Sequence, residues 1–112
     1  MCLDELLEEL ARAGVACRET YFVSAPKSGP FAIYDVGCQA TGGDGAPAKR
    51  AYTASLSLME HPGDPLDARA AVEAALDARG LEWERGMREW SEDERLCITD
   101  YTFSWVEKAP RK

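Results

Sequence analysis

The chain predicts an α+β domain, with a mainly antiparallel five-stranded sheet and two helices packed on one face in the order α-β-β-β-α-β-β. Three observations carry that reading. Two segments repeat apolar residues at the i, i+3, i+4 spacing of an amphipathic helix. Five others show strand chemistry, the clearest being the alternation of Tyr52, Ala54, Leu56 and Leu58 against Thr53, Ser55 and Ser57. Helices and strands also do not alternate in the strict βαβ order of a parallel sheet. The 112 residues suit one domain, residues 1–112, large enough to bury a core without metal or disulfide staples.

The first helix is expected at residues 3–13, where Leu3, Leu6, Leu7 and Leu10 make one stripe. Asp4, Glu5, Glu8 and Glu9 crowd its N-terminal half, where negative charge suits the helix dipole. Gly14 is placed to end it in the left-handed conformation. A strand follows over Val15–Phe22, and Val23–Pro30 is a loop because its prolines and glycine interrupt a ladder. Phe31–Val36 is the second strand. Gly37–Lys49 (GCQATGGDGAPAK) has no hydrophobic period and reads as a loop, mobile in the free chain.

Arg50–Met59 is the third strand, with one buried face. The turn His61-Pro62-Gly63-Asp64 leads into a second helix over Pro65–Arg79, with Asp64 as N-cap, Pro65 at the first position and Asp67 completing a capping box. Ala68, Ala71, Val72, Ala75 and Leu76 form its apolar face, and Gly80 closes it. Leu81–Trp90 is a fourth strand, bulged near Gly86. Ser91–Glu94 is a polar turn, Arg95–Val106 the fifth strand, and Glu107–Lys112 a frayed tail.

Composition narrows the function classes. The formal net charge is −7 and the isoelectric point lies near 4.7. Such a chain has no surplus of cations to displace phosphate counterions, so stable nucleic-acid binding and docking on anionic membrane are disfavoured. The opening MCLDELLEEL has neither a basic n-region nor an apolar h-region, and no signal or transit peptide is expected. Cys2, Cys17, Cys38 and Cys97 form no C-x-x-C pair, and His61 is the only histidine. A zinc site is therefore not expected, and four free thiols, mostly small buried hydrophobes, are.

No catalytic constellation emerges. His61, alone in a turn, reads as solvated surface. There is no G-x-S-x-G elbow, and Gly42-Gly43-Asp44-Gly45 lacks the ending of a phosphate loop. Glu92-Asp93-Glu94 could approach a divalent cation but reads as a solvated hairpin tip. No enzyme, cofactor or metal is expected. Tyr101, Phe103, Trp105, Trp83 and Trp90 read first as core, but any of them on a sheet face that two short helices leave uncovered would need a partner subunit. Trp90, beside the polar turn, is the aromatic expected at an interface.

The succession of segments resembles the tail-completion (tail-terminator, head–tail joining) proteins of siphophages and prophages. The likeness runs from the acidic helix and strand at Leu3–Tyr21, through the Phe-x-Ile-Tyr strand at Pro30–Tyr34, to the alternating strand and helix of Tyr52–Leu76. It is strongest over Ala71–Trp105, where AVEAALDARGLEWERG leads through WSEDERL into ITDYTFSW. The resemblance implies a homo-oligomeric ring, commonly of six copies, seated on the tail-tube protein, stopping tube growth and meeting a neck or head-completion protein. It implies location in the virion tail or neck after assembly in the host cytoplasm. The expected interface comprises Gly42, Gly43, Asp44, Lys49 and Arg50, in and beside the mobile loop, together with Trp90. The competing reading is a small cellular protein–protein interaction domain without catalytic activity.

Overall fold

The computed structural model describes residues 1–42, 49–64 and 67–108. The elements are α1 (Leu3–Arg12), β1 (Ala16–Glu19), β2 (Phe31–Thr41), β3 (Lys49–Glu60), α2 (Ala68–Ala78), β4 (Trp83–Arg85), β5 (Glu89–Ser91) and β6 (Leu96–Lys108). The chain is α+β, and its sheet is six-stranded and mixed, in the order β1-β2-β3-β6-β4 with β5 also on β6.

Both helices end where glycine was expected. Gly14 (φ 100°) and Gly80 (φ 65°) take the left-handed conformation. Behind them Val15 N–H reaches Leu10 O at 2.8 Å and Leu81 N–H reaches Leu76 O at 3.2 Å. Gly14 N–H to Ala11 O and Gly80 N–H to Asp77 O complete the two Schellman motifs. The start of α2 differs from expectation. Asp67 is its N-cap, accepting Ala70 N–H at 3.1 Å, so the helix begins at Ala68. Asp64 instead accepts His61 N–H at 3.0 Å and closes the preceding turn. Pro65 lies outside the described residues.

Four strand expectations are corrected. First, β1 stops at Glu19, because Thr20 (φ 67°) turns the chain away. The Thr20–Pro30 connection then brings the chain back so that β2 runs parallel to β1. Second, the fourth strand is two short ones, β4 and β5, both antiparallel to β6. The break falls at Gly86, whose N–H still bonds Asp100 O at 2.8 Å. Third, Gly37–Thr41 is not loop. It extends β2, paired residue by residue with Thr53–Lys49 of β3. Lys49 is correspondingly a strand residue, ahead of Arg50 in β3. Fourth, Glu107 and Lys108 belong to β6, and residues 109–112 lie outside the described residues.

One sheet face carries the core. Ala32, Ala54, Leu56, Leu58, Tyr101 and Phe103 meet Leu6 and Leu10 of α1 and Ala68, Val72, Ala75 and Leu76 of α2. The small α2 residues let that helix lie close to the sheet. Trp83 and Trp105 pack partly buried against the same cluster, with Trp105 stacked on Tyr52 at 5.2 Å. Tyr101, Phe103, Trp105 and Trp83 thus follow the core reading and not the partner-facing one. They belong to or pack against the cluster formed with residues of α1 and α2. On the opposite face Phe22, from the β1–β2 connection, sits edge-on to Phe31 at 5.2 Å and covers a smaller cluster with Met59 and Leu96.

β2, β3 and β6 continue together past these covers. The radius of gyration is 15.9 Å and the extents are 55 × 27 × 25 Å. A compact chain of this length would have a radius of gyration of about 13 Å. The excess comes from a three-stranded arm built of Val36–Thr41, Lys49–Thr53 and Ser104–Lys108.

Candidate interaction surface

The arm is exposed because no helix follows it. On the helix side burial ends within one step: Ala54 and Phe103 are buried, while their successors Tyr52 and Trp105 are half-exposed. The other side presents Asp35, Thr53, Ser55, Thr102 and Ser104, all exposed, with Ser57 donating to Asp100 at 2.7 Å. Val106, near the end of β6, is 64% exposed.

The expected interface residues fall at two ends of the molecule. Lys49 and Arg50 are exposed at the arm tip, opposite Thr41 and Ala40 on one side and Lys108 and Glu107 on the other. Gly42 is exposed just past β2. Gly43 and Asp44 lie outside the described residues. Trp90 sits at the far end, on β5 beside Cys97, and is 46% exposed. Between Cys97 and Glu107, β6 covers roughly 33 Å at its rise per residue. The tip and Trp90 cannot belong to one patch. Sequence reading missed Val106, Tyr21 (65% exposed), Val23 (93%) and Met87 (85%). Nothing in their immediate neighbours distinguishes an exposed apolar strand or loop residue from a buried one.

Two depressions flank the body. One, of about 430 Å³, is polar and lined by Glu60, His61, Asp64, Arg69, Arg88 and Cys97. Arg88 reaches the nearly buried Glu60 carboxylate at 3.0 Å, so its charge is already committed. The second, of about 500 Å³, is an apolar groove between Phe22, Pro26, Ile33, Met59 and Leu96. His61 separates the two. Its ring is half-buried against Phe31, with Nε2 3.1 Å from Pro26 O. The expectation of a solvated histidine is corrected: the ring tethers the β1–β2 connection to the sheet.

The cysteines also differ from expectation, since Cys2 and Cys38 are exposed and Cys17 and Cys97 only half-buried. The thiol of Cys17 is pushed up to about 11 by burial, against the opposing charge of Arg18. Under α2, Tyr101 Oη donates to Glu73 at 2.7 Å, and Arg85 binds the same carboxylate at 2.7 Å. Burial first, and the Glu73 carboxylate second, raise the Tyr101 phenol above its ordinary value. In the β5–β6 turn, Trp90 Nε1 donates to Glu92 at 2.7 Å. Among the described residues no three His, Cys, Asp or Glu side chains converge as metal ligands. No helix among them is long and apolar enough to cross a membrane.

No protein-family model matches the chain, and no curated protein matches it. The fold and surface define an α+β chain with a covered body and an exposed β arm.

Proposed function

We propose that the chain is a non-enzymatic phage structural subunit that caps the tail tube, ends tail polymerisation and helps join the tail to the neck. The observation that carries the reading is the arm. Its three strands leave the body with open edges and thinly covered faces, a surface that gains partners only from neighbouring subunits. Ring formation needs two different patches on each subunit, and the arm offers one along each of its two sides. The acidic net charge fits a channel through which DNA passes without sticking. The likeness of Ala71–Trp105 to the tail-completion proteins supports the same role, within the virion tail or neck.

The test is reconstitution. Purified chain is mixed with uncapped tail tubes and viewed by negative-stain electron microscopy, with native mass spectrometry of the cap. The expected result is tubes of arrested length carrying a six-copy ring. Tubes that keep growing, and never bind the chain, overturn the proposal. The second reading, a cellular interaction domain, draws on the apolar groove beside Phe22. A chain that ignores tubes and binds an apolar peptide in that groove would favour it.

A further inference from the structure

The free edges of the arm allow a specific assignment. In β2 the carbonyl of Tyr34 points out of the β2–β3 ladder and accepts Thr20 N–H at 2.9 Å. Alternate residues of a strand point their N–H and C=O to the same side. Val36, Cys38 and Ala40 therefore also point outward, beyond the place where β1 ends at Glu19. In β6 the carbonyl of Asp100 points outward to Gly86 N–H. Ser104 and Val106 follow in the same direction, past Trp83, the residue where β4 begins. Neither stretch pairs with a further strand among the described residues.

These edges lack the usual guards. VGCQAT (Val36–Thr41) contains no charge and no proline, and Ser104–Val106 has neither. Natural sheets ordinarily protect such edges with lysine, proline or a bulge. The two edges also match each other. β2 and β6 both run from body to tip, on opposite sides of the antiparallel β3. A second copy turned about an axis along the arm sets its β6 edge beside β2, strands parallel, with the helix-covered faces on the same side.

We propose that copies of this chain join head to tail through their arms, the β2 edge at Val36–Ala40 of one copy pairing with the β6 edge at Ser104–Val106 of the next. One chain supplies both halves of the contact, which assigns the occupant as a second copy and not an unrelated extended peptide. The pairing converts outward backbone groups into ladder bonds and covers Val106. It rests on the ring reading for its closure but names the contact that would build the ring.

The experiment uses two backbone variants. Cys38→Pro and Val106→Pro each remove one outward N–H and leave the internal ladders their donors. Oligomeric state is followed by native mass spectrometry and light scattering across concentration, with tail tubes present and absent. The wild type is expected to assemble, while each variant is monomeric with unchanged circular dichroism. A mixture of the two is expected to yield only capped heterodimers, because each retains one good edge. Variants that still assemble overturn the edge contact and leave the ring reading intact. Loss of assembly in Cys38→Pro alone indicates two-fold β2–β2 pairing and overturns the head-to-tail form. A wild type monomeric under all conditions overturns the proposal outright. Should either variant unfold, amide exchange on the wild type decides. Val36, Cys38, Ala40 and Val106 should slow by about tenfold or more on assembly, and unchanged rates overturn the proposal. Tube capping without edge protection keeps the tail reading and removes this one.

Discussion

Body and arm are built from the same three strands, yet they are held together differently. Along one side of β3, Leu58, Leu56 and Ala54 are all but fully buried, while Tyr52 and Arg50, next in line, emerge into solvent. The ladder does not change at that point, since β2 and β6 pair with β3 on both sides of it. The helices are what change. In the body, hydrogen bonds are secured by apolar burial beneath α1 and α2. In the arm the cover is thin: Tyr52 stacks on Trp105, which packs at the rim of the core, and the N-terminus lies 3.9 Å from Glu107. A sheet that loses its cover keeps its geometry but loses most of its hydrophobic stabilisation. The arm is accordingly the part of the molecule with most to gain from a neighbour.

The largest test of this contrast is a matched pair of truncations. Leu56→Ala opens a cavity under the helices and is expected to cost about 2–5 kcal/mol. Val106→Ala on the arm should stay within about 0.5 kcal/mol in the free chain. Urea melts followed by circular dichroism measure both, and similar losses at the two sites would erase the distinction between body and arm.

A smaller effect sharpens the account of the body. Tyr101→Phe removes the hydrogen bond to Glu73 and should cost about 1.5–3 kcal/mol, as for a bond to a charged acceptor. The phenol's folded value is raised above its ordinary 10.0, so the folded chain holds this proton more tightly than the unfolded chain does. Its contribution is complete below pH 10 and is lost as pH rises from there towards the folded value. Wild-type stability should therefore fall more steeply than that of Tyr101→Phe in alkaline melts. Parallel curves would show that the bond with Glu73 contributes little.

The smallest effect concerns Thr99, fully buried on β6, whose Oγ1 has no hydrogen-bond partner among the described residues. Thr99→Val keeps the shape and removes the unsatisfied hydroxyl. It should be neutral or stabilising by up to about 1 kcal/mol. A clear loss in thermal melts would mean that the hydroxyl has a partner in solution.

Much of the body was legible in the residues. The leucine stripe of α1, the alanine-rich face of α2, the glycines that end both helices, and the alternation of Tyr52–Leu58 each correspond to an element in place. Those signals exist because burial and left-handed backbone geometry select side chains. The candidate surface was legible only in part. Lys49, Arg50, Gly42 and Trp90 are exposed, but Trp90 lies at the far end from the other three, and the Gly37–Thr41 part of the β2 edge was read as loop.

The sequence by itself determined where apolar faces lie and where helices stop, since each depends on side-chain chemistry within a few residues. Tertiary structure alone decided the parallel pairing of β1, the split of β4 from β5, and the conversion of Gly37–Thr41 from apparent loop into strand. The physical reason is common to all three. Ladder hydrogen bonds use backbone groups that nearly every residue carries, so a strand buried on neither face leaves no period in the sequence. Only the position of β3, running alongside, shows that Gly37–Thr41 is strand.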